Sequence, residues 1–159
     1  MDNLQLNIAK QLILSDNKFV LGNLSNLSSW IYHEFDAINW AGFYLYDGSS
    51  LVLGPFCGKV ACTNIGWGKG VCGTALAQNK TIIVPDVHKF DGHIACDSAS
   101  NSEIVVPMYL HDKPIGVLDI DSILLDRFDS SHQELFENIV RHLIQTNGNA
   151  ISRLVANNE

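Results

Sequence analysis

EIVVPMYLHDKPIGVLDIDS, running from Glu103 to Ser122, decides the fold class. Two runs rich in Val, Ile and Leu flank a polar interruption containing Pro, at His111–Pro114, which is the pattern of an antiparallel hairpin. Side chains alternate across a strand, so Asp119 and Asp121 project from one face together with Val117, while Leu118 and Ile120 take the opposite, core face. Glu103 begins the partner strand. A turn with an odd number of loop residues sets Glu103 opposite Asp121; an even number sets it opposite Ser122. Paired acids on a strand face are ordinarily solvated surface. Here they follow an apolar run on a hairpin expected near the centre of a sheet. Three carboxyl groups facing one pocket would raise at least one pKa and supply a proton donor near neutrality.

The rest of the chain fits around this hairpin. NWAGFYLYDGSSLVLGPF (Asn39–Phe56) alternates aromatic and aliphatic residues on both sides of Asp47-Gly48, a strong hairpin signal. Leu4, Ile8 and Leu12 predict a first amphipathic helix, and Leu24, Leu27, Ile31 and Phe35 a second over 21–35. Gly70–Gln78 reads as a short helix entered through a Gly-rich turn. SSHQELFENIVRHLIQ (Ser130–Gln145) predicts a C-terminal helix, with Ser131 and Glu134 at capping-box spacing and Phe136, Ile139, Val140, Leu143 and Ile144 on one face. There is no repeat, low-complexity tract or linker. The expectation is therefore a single α+β domain over residues 1–159. Its central antiparallel sheet carries the N- and C-terminal helices on one face and a long loop over a pocket on the other.

Bulk properties narrow the function. The chain has 159 residues, 47% of them hydrophobic, with mean hydropathy +0.10, enough for a real core and unlike a disordered chain. Ten Lys and Arg against seventeen Asp and Glu leave a net charge of −7. That speaks against nucleic acid or an anionic membrane as partner. No apolar stretch approaches a membrane span. MDNLQLNIAKQLILSDN has no basic n-region or small-residue cleavage site, so a cytoplasmic location is expected.

In a reducing compartment the four cysteines, Cys57, Cys62, Cys72 and Cys96, point to metal binding or redox chemistry rather than a disulfide framework. A zinc site from these four with His93 lacks the closely spaced pairs of ordinary knuckles. The Gly68-x-Gly70-x-x-Gly73 pattern resembles a dinucleotide fingerprint, but the helix after it is short and the later strands form a hairpin rather than βαβ units. Thiol redox chemistry fits better. The polar stretch between Val84 and Ile104 is long for a compact domain, and Cys96 near its end has access to solvent and a chance of forming thiolate. Cys72, inside an apolar helix start, and Cys57 suit small buried hydrophobes.

At these residues the chain resembles a known family. GPFCGKVAC (54–62), GKGVCGTA (68–75), DVHKFDGHIACDSASNSEIVVP (86–107) and GVLDIDS (116–122) together look like the GAF-domain free methionine-(R)-sulfoxide reductases, over Trp40 to Phe128. DGHIACDSASNSE and the spacing of Cys62, Cys72 and Cys96 are absent from ordinary GAF sensor domains. The resemblance implies a GAF fold, dimeric through its terminal helices, and free methionine (R)-sulfoxide as substrate. It also implies thioredoxin as reductant, as part of a defence against oxidative stress. The thiolate of Cys96 would attack the substrate sulfur, and Cys62, or Cys72 in its stead, would resolve the resulting sulfenic acid to a disulfide. Cys57 stands where the family more often has another residue, and is expected to be a bystander.

Each pocket group then has a duty. Glu103, Asp119 and Asp121 hold the substrate ammonium and protonate the sulfoxide oxygen. Backbone N–H groups around Ile94, Ala95 and Cys96 bind the carboxylate as an anion nest. Trp40 and Tyr44, on one strand face by their even spacing, enclose the methyl-sulfur end, or else are plain aromatic core. The long loop is expected to act as a lid. No metal or organic cofactor is required. Two other readings compete: a non-catalytic GAF ligand-binding domain and a thiol redox switch.

Overall fold

The computed structural model describes residues 3–94 and 98–156. Helices α1 (Asn3–Leu12) and α2 (Val20–Glu34) lead into β1 (Ile38–Tyr46) and β2 (Ser50–Gly58). There follow β3 (Asn64–Gly66), α3 (Gly70–Gln78), β4 (Ile82–Val84), β5 (Ser102–Leu110), β6 (Lys113–Ser122) and α4 (Ser130–Arg153). The six strands form one antiparallel sheet in the order β3-β2-β1-β6-β5-β4. This is the α+β arrangement expected.

The alternation of side chains divides the core in two. Ala41, Phe43, Leu45, Ile104, Val106, Met108, Leu118 and Ile120 face α1, α2 and α4, meeting Leu24, Leu27, Ile31, Phe136, Ile139 and Leu143. Their neighbours Trp40, Tyr44, Val105 and Val117 face the other way, onto α3. The first helix forms where expected, but with a different face inward. Leu4 is 61% exposed while Ala9 and Ile13 are buried, because the small Ala9 lets the helix lie against the core. The α4 cap also differs: Asp129, two residues before Ser131, is the N-cap, and His132 completes a capping box with it. An aspartate can cap as well as a serine, and here it accepts from the backbone N–H of both Ser131 and His132.

The central hairpin turns at His111-Asp112 alone. Both have positive φ, 49° and 63°, as a two-residue type I′ turn requires. Strand β6 thus starts at Lys113, and Pro114 lies within it. A turn of only two residues would by itself set Glu103 opposite Ile120, rather than the Ser122 that an even turn spanning His111–Pro114 gives, and aim it at the helices. Ile115 prevents this. It has no partner, since Met108 pairs with Gly116 and Tyr109 with Pro114. This one-residue bulge shifts the register so that Glu103 faces Asp121 and Val105 faces Asp119.

Candidate active site

The face opposite the terminal helices carries the site. Strand β6 supplies Asp119 and Asp121, and β5, on one side, supplies Glu103. On the other side β1 places Trp40 beside Asp121, Gly42 beside Asp119 and Tyr44 beside Val117. A small cavity of about 30 Å³ opens above them. Its lining includes Trp40, Tyr44, Cys72, Glu103, Asp119 and Asp121, with His93 and Ile94 from the long connection.

Two glycines bring α3 and the connection close. A Cβ on Gly73 would stand 2.4 Å from the Gly66 carbonyl oxygen, and one on Gly70, whose φ is +59°, would press on Ile94 at 3.0 Å. These packing demands account for the glycine pattern that resembled a nucleotide fingerprint. The strand after α3 pairs antiparallel with β5, so there is no βαβ unit for a dinucleotide.

The aromatic wall is rigid. Trp40 stacks between Tyr44 (centroids 5.8 Å apart) and Phe56 (5.2 Å), and its Nε1 donates to the Lys59 carbonyl at 3.1 Å. The Tyr44 hydroxyl donates to the Cys62 carbonyl at 3.0 Å, tying the β2–β3 connection to the wall. Trp40 and Tyr44 are at once cavity lining and aromatic core.

The carboxyl groups are the unusual feature. Glu103 is only 5% exposed and Asp119 6%. Burial, reinforced by the negative charges of Asp119 and Asp121, pushes the Glu103 pKa well above the ordinary glutamate range. Burial also raises Asp119, opposed by hydrogen bonds from Glu103 and Cys72. Of the two, Glu103 is the one whose environment more strongly favours the acid form. Asp119 keeps one buried oxygen, Oδ1, without a hydrogen-bond partner among the described residues. His93 Nε2 lies 3.7 Å from Glu103 Oε1, and burial lowers the His93 pKa. From sequence, His93 suggests only a metal ligand, since nothing local announces a contact across ten residues. Ser100, buried in the lining and accepting from Asn39 Nδ2 at 3.0 Å, had no sequence signal either.

The three described cysteines differ in state. Cys72 is buried and free, and desolvation together with the neighbouring carboxylates keeps its pKa well above the thiol norm. It lies inside the site, not in plain core. Cys62 is disulfide-bonded. Cys57 is free and pairs with Ala41, a residue of the helix-side core. It therefore points away from the cavity, and a zinc site shared by the four cysteines does not assemble. Replacing Cys57 with Ser is expected to leave turnover at the site within about twofold of wild type, since a conservative change that touches none of the site's groups has a small effect. Ala95 and Cys96 lie outside the described residues. Among the described residues, one group has donor atoms placed for a metal: Cys72, Glu103 and Asp119, all within 4.8 Å of one another.

A GAF domain family model matches residues 29–145. The free methionine-R-sulfoxide reductase of Escherichia coli is 52% identical over 123 residues, which is 77% of this chain and 74% of that protein. The chain belongs to the GAF-domain free methionine-R-sulfoxide reductase family. Solved structures of the family superpose closely. The enzyme of Neisseria meningitidis, in complex with its substrate, gives a TM-score of 0.86 at 38% identity, covering 93% of this chain and 87% of that one. The reduced form from Staphylococcus aureus gives 0.85 at 48%, covering 91% and 93%.

Proposed function

We propose that this protein reduces free methionine (R)-sulfoxide to methionine by thiol catalysis. The observation that carries the reading is the buried carboxyl cluster of Glu103 and Asp119 beneath an aromatic wall, with Glu103 and Asp121 paired across the hairpin. The family membership supports the same reaction. The thiolate of Cys96 attacks the substrate sulfur while a carboxylic acid, Glu103, protonates the sulfoxide oxygen. Methionine leaves, Glu103 is left as carboxylate, and Cys96 becomes a sulfenic acid. The thiol of Cys62 then displaces water to form a Cys62–Cys96 disulfide, and an external dithiol protein of the thioredoxin kind reduces it. The disulfide at Cys62 supports its role as the resolving thiol. Cys72, with its raised pKa, is the weaker nucleophile and serves at most as substitute.

Asp119 and Asp121 receive the substrate ammonium, Trp40 and Tyr44 enclose the methyl-sulfur end, and the backbone around Ile94, Ala95 and Cys96 receives the carboxylate. A site that matches both ends of a free amino acid rejects methionine within a peptide. Among the described residues no helix is long and apolar enough to cross a membrane. The reading further places the protein in the cytoplasm as a homodimer. The test is an assay of the purified protein against the free R and S sulfoxides with thioredoxin recycling. Turnover of R alone is expected; no turnover of either leaves a ligand-binding or redox-sensing domain.

Replacing Cys62 with Ser separates the half-reactions. One methionine per chain should still form in a burst, because attack by Cys96 needs no partner. Thioredoxin-dependent cycling should fall by roughly tenfold or more, as exchange then lacks its resolving thiol. A missing burst would show that Cys62 also takes part in the first step.

A further inference from the structure

The protein contains a thiol that the proposed reaction leaves idle. Cys72 sits at the start of α3, fully within the site, with its sulfur and one oxygen each of Glu103 and Asp119 mutually within 4.8 Å. The three residues come from separate elements: α3, β5 and β6. All three are buried. Asp119 Oδ1, which lacks a hydrogen-bond partner among the described residues, is in a residue lining the same cavity. A buried acceptor left unpaired costs free energy that a ligand can recover.

We propose that Cys72, Glu103 and Asp119 form an inhibitory site for a borderline-soft divalent cation, with Zn²⁺ as the fitting ion. The chemistry selects the class. One thiolate with two carboxylates favours Zn²⁺ over Mg²⁺ or Ca²⁺, which take oxygen alone. Tetrahedral Zn²⁺ with sulfur at about 2.3 Å and oxygens at about 2.0–2.1 Å needs donors about 3.3–3.6 Å apart. Donors that lie within 4.8 Å of one another reach this by a contraction of at most about 1.5 Å, within the reach of side-chain rotation. Three protein donors leave a fourth position open towards the cavity. On binding, the Cys72 S–H and the Glu103 carboxyl each release a proton, so the ion is held by one thiolate and two carboxylates. Two positive charges then stand where burial and repulsion among Glu103, Asp119 and Asp121 otherwise disfavour the ionised forms.

The consequence concerns regulation of the same site, and it rests on the function proposed above. The ion takes the carboxyl groups that hold the substrate ammonium and protonate the sulfoxide oxygen. Zinc and methionine sulfoxide therefore exclude one another. This is not a cofactor site; the reaction runs without the ion.

The binding test requires no turnover. Oxidised protein in a Cys57→Ser background keeps Cys62 in its disulfide and leaves Cys72 as the free thiol. Titration calorimetry with Zn²⁺ is expected to show one ion per chain, and Cd²⁺ to give a thiolate-to-metal charge-transfer absorption. Asp119→Asn and Glu103→Gln should each weaken binding by more than about 100-fold, beyond the loss typical of groups that merely support a ligand. Cys72→Ser should abolish the Cd²⁺ absorption. Thermal unfolding checks that each variant folds; if Cys72→Ser does not, the two carboxyl variants decide. Absence of saturable Zn²⁺ binding, or binding of unchanged strength in both carboxyl variants, overturns the proposal. Methionine sulfoxide should weaken Zn²⁺ binding competitively. Failure of the reductase reading would appear instead as an inactive wild-type enzyme.

Discussion

Replacing Cys96 with Ser should reduce sulfoxide turnover to background. In the proposed reaction no other thiol reaches the substrate sulfur. Cys57 lies on the far side of the sheet, Cys62 is the resolving partner, and burial beside the carboxylates keeps Cys72 protonated. A serine hydroxyl in place of Cys96 has neither the acidity nor the polarisability to replace a thiolate. The measurement is methionine formed per chain, in both a single-turnover burst and the steady state. Because the burst precedes any disulfide exchange, its loss assigns the defect to attack on sulfur. Appreciable turnover by this variant would sink the mechanism, whereas binding of the sulfoxide should survive in it.

The second large effect concerns the acid. Glu103→Gln keeps size and hydrogen-bonding capacity but has no carboxylic proton, and the first half-reaction should slow by roughly 10²-fold or more. Asp121→Asn, opposite it in the hairpin, should do similar harm. The two losses should not add, since the groups share one electrostatic site. The pH dependence follows from the direction of the Glu103 shift. Its pKa lies well above the ordinary range, so the acid form persists to neutrality, and the wild-type burst rate should fall as pH rises through that pKa. Ionisation of the Cys96 thiol works the other way, which gives a bell-shaped profile. In Glu103→Gln the alkaline limb should disappear. If both amide variants release the first methionine at the wild-type rate, the carboxyl groups only line the cavity and the proton comes from elsewhere.

The sequence by itself determined a good deal of this protein. Period-two alternation in VLDIDS put Asp119 and Asp121 on one face and Leu118 and Ile120 on the other, because successive side chains on a strand must diverge. Apolar spacing of Leu24, Leu27 and Ile31 announced a helix whose face is now fully buried. The cysteine pattern and the DGHIACDSASNSE segment carried the family, since they are chemistry written into consecutive residues. Local signals were weaker at edges: the α4 cap fell on Asp129 rather than Ser131, two residue types that serve the same hydrogen bonds.

Only the tertiary structure decided whether Glu103 joins the two aspartates. Turn length alone gives the wrong answer, because the even turn at His111-Asp112 is offset by the bulge at Ile115. A bulge forms where buried side chains on both strands must keep to their own faces, a constraint that neither strand carries alone. The same holds for Cys72, which reads as a small hydrophobe in its helix. It becomes a neighbour of Glu103 and Asp119 only because Gly73 lets α3 settle against the Gly66 carbonyl. Side-chain pattern is a property of the chain. Which buried groups share one desolvated space, and so which of them keeps its proton, is a property of the packing.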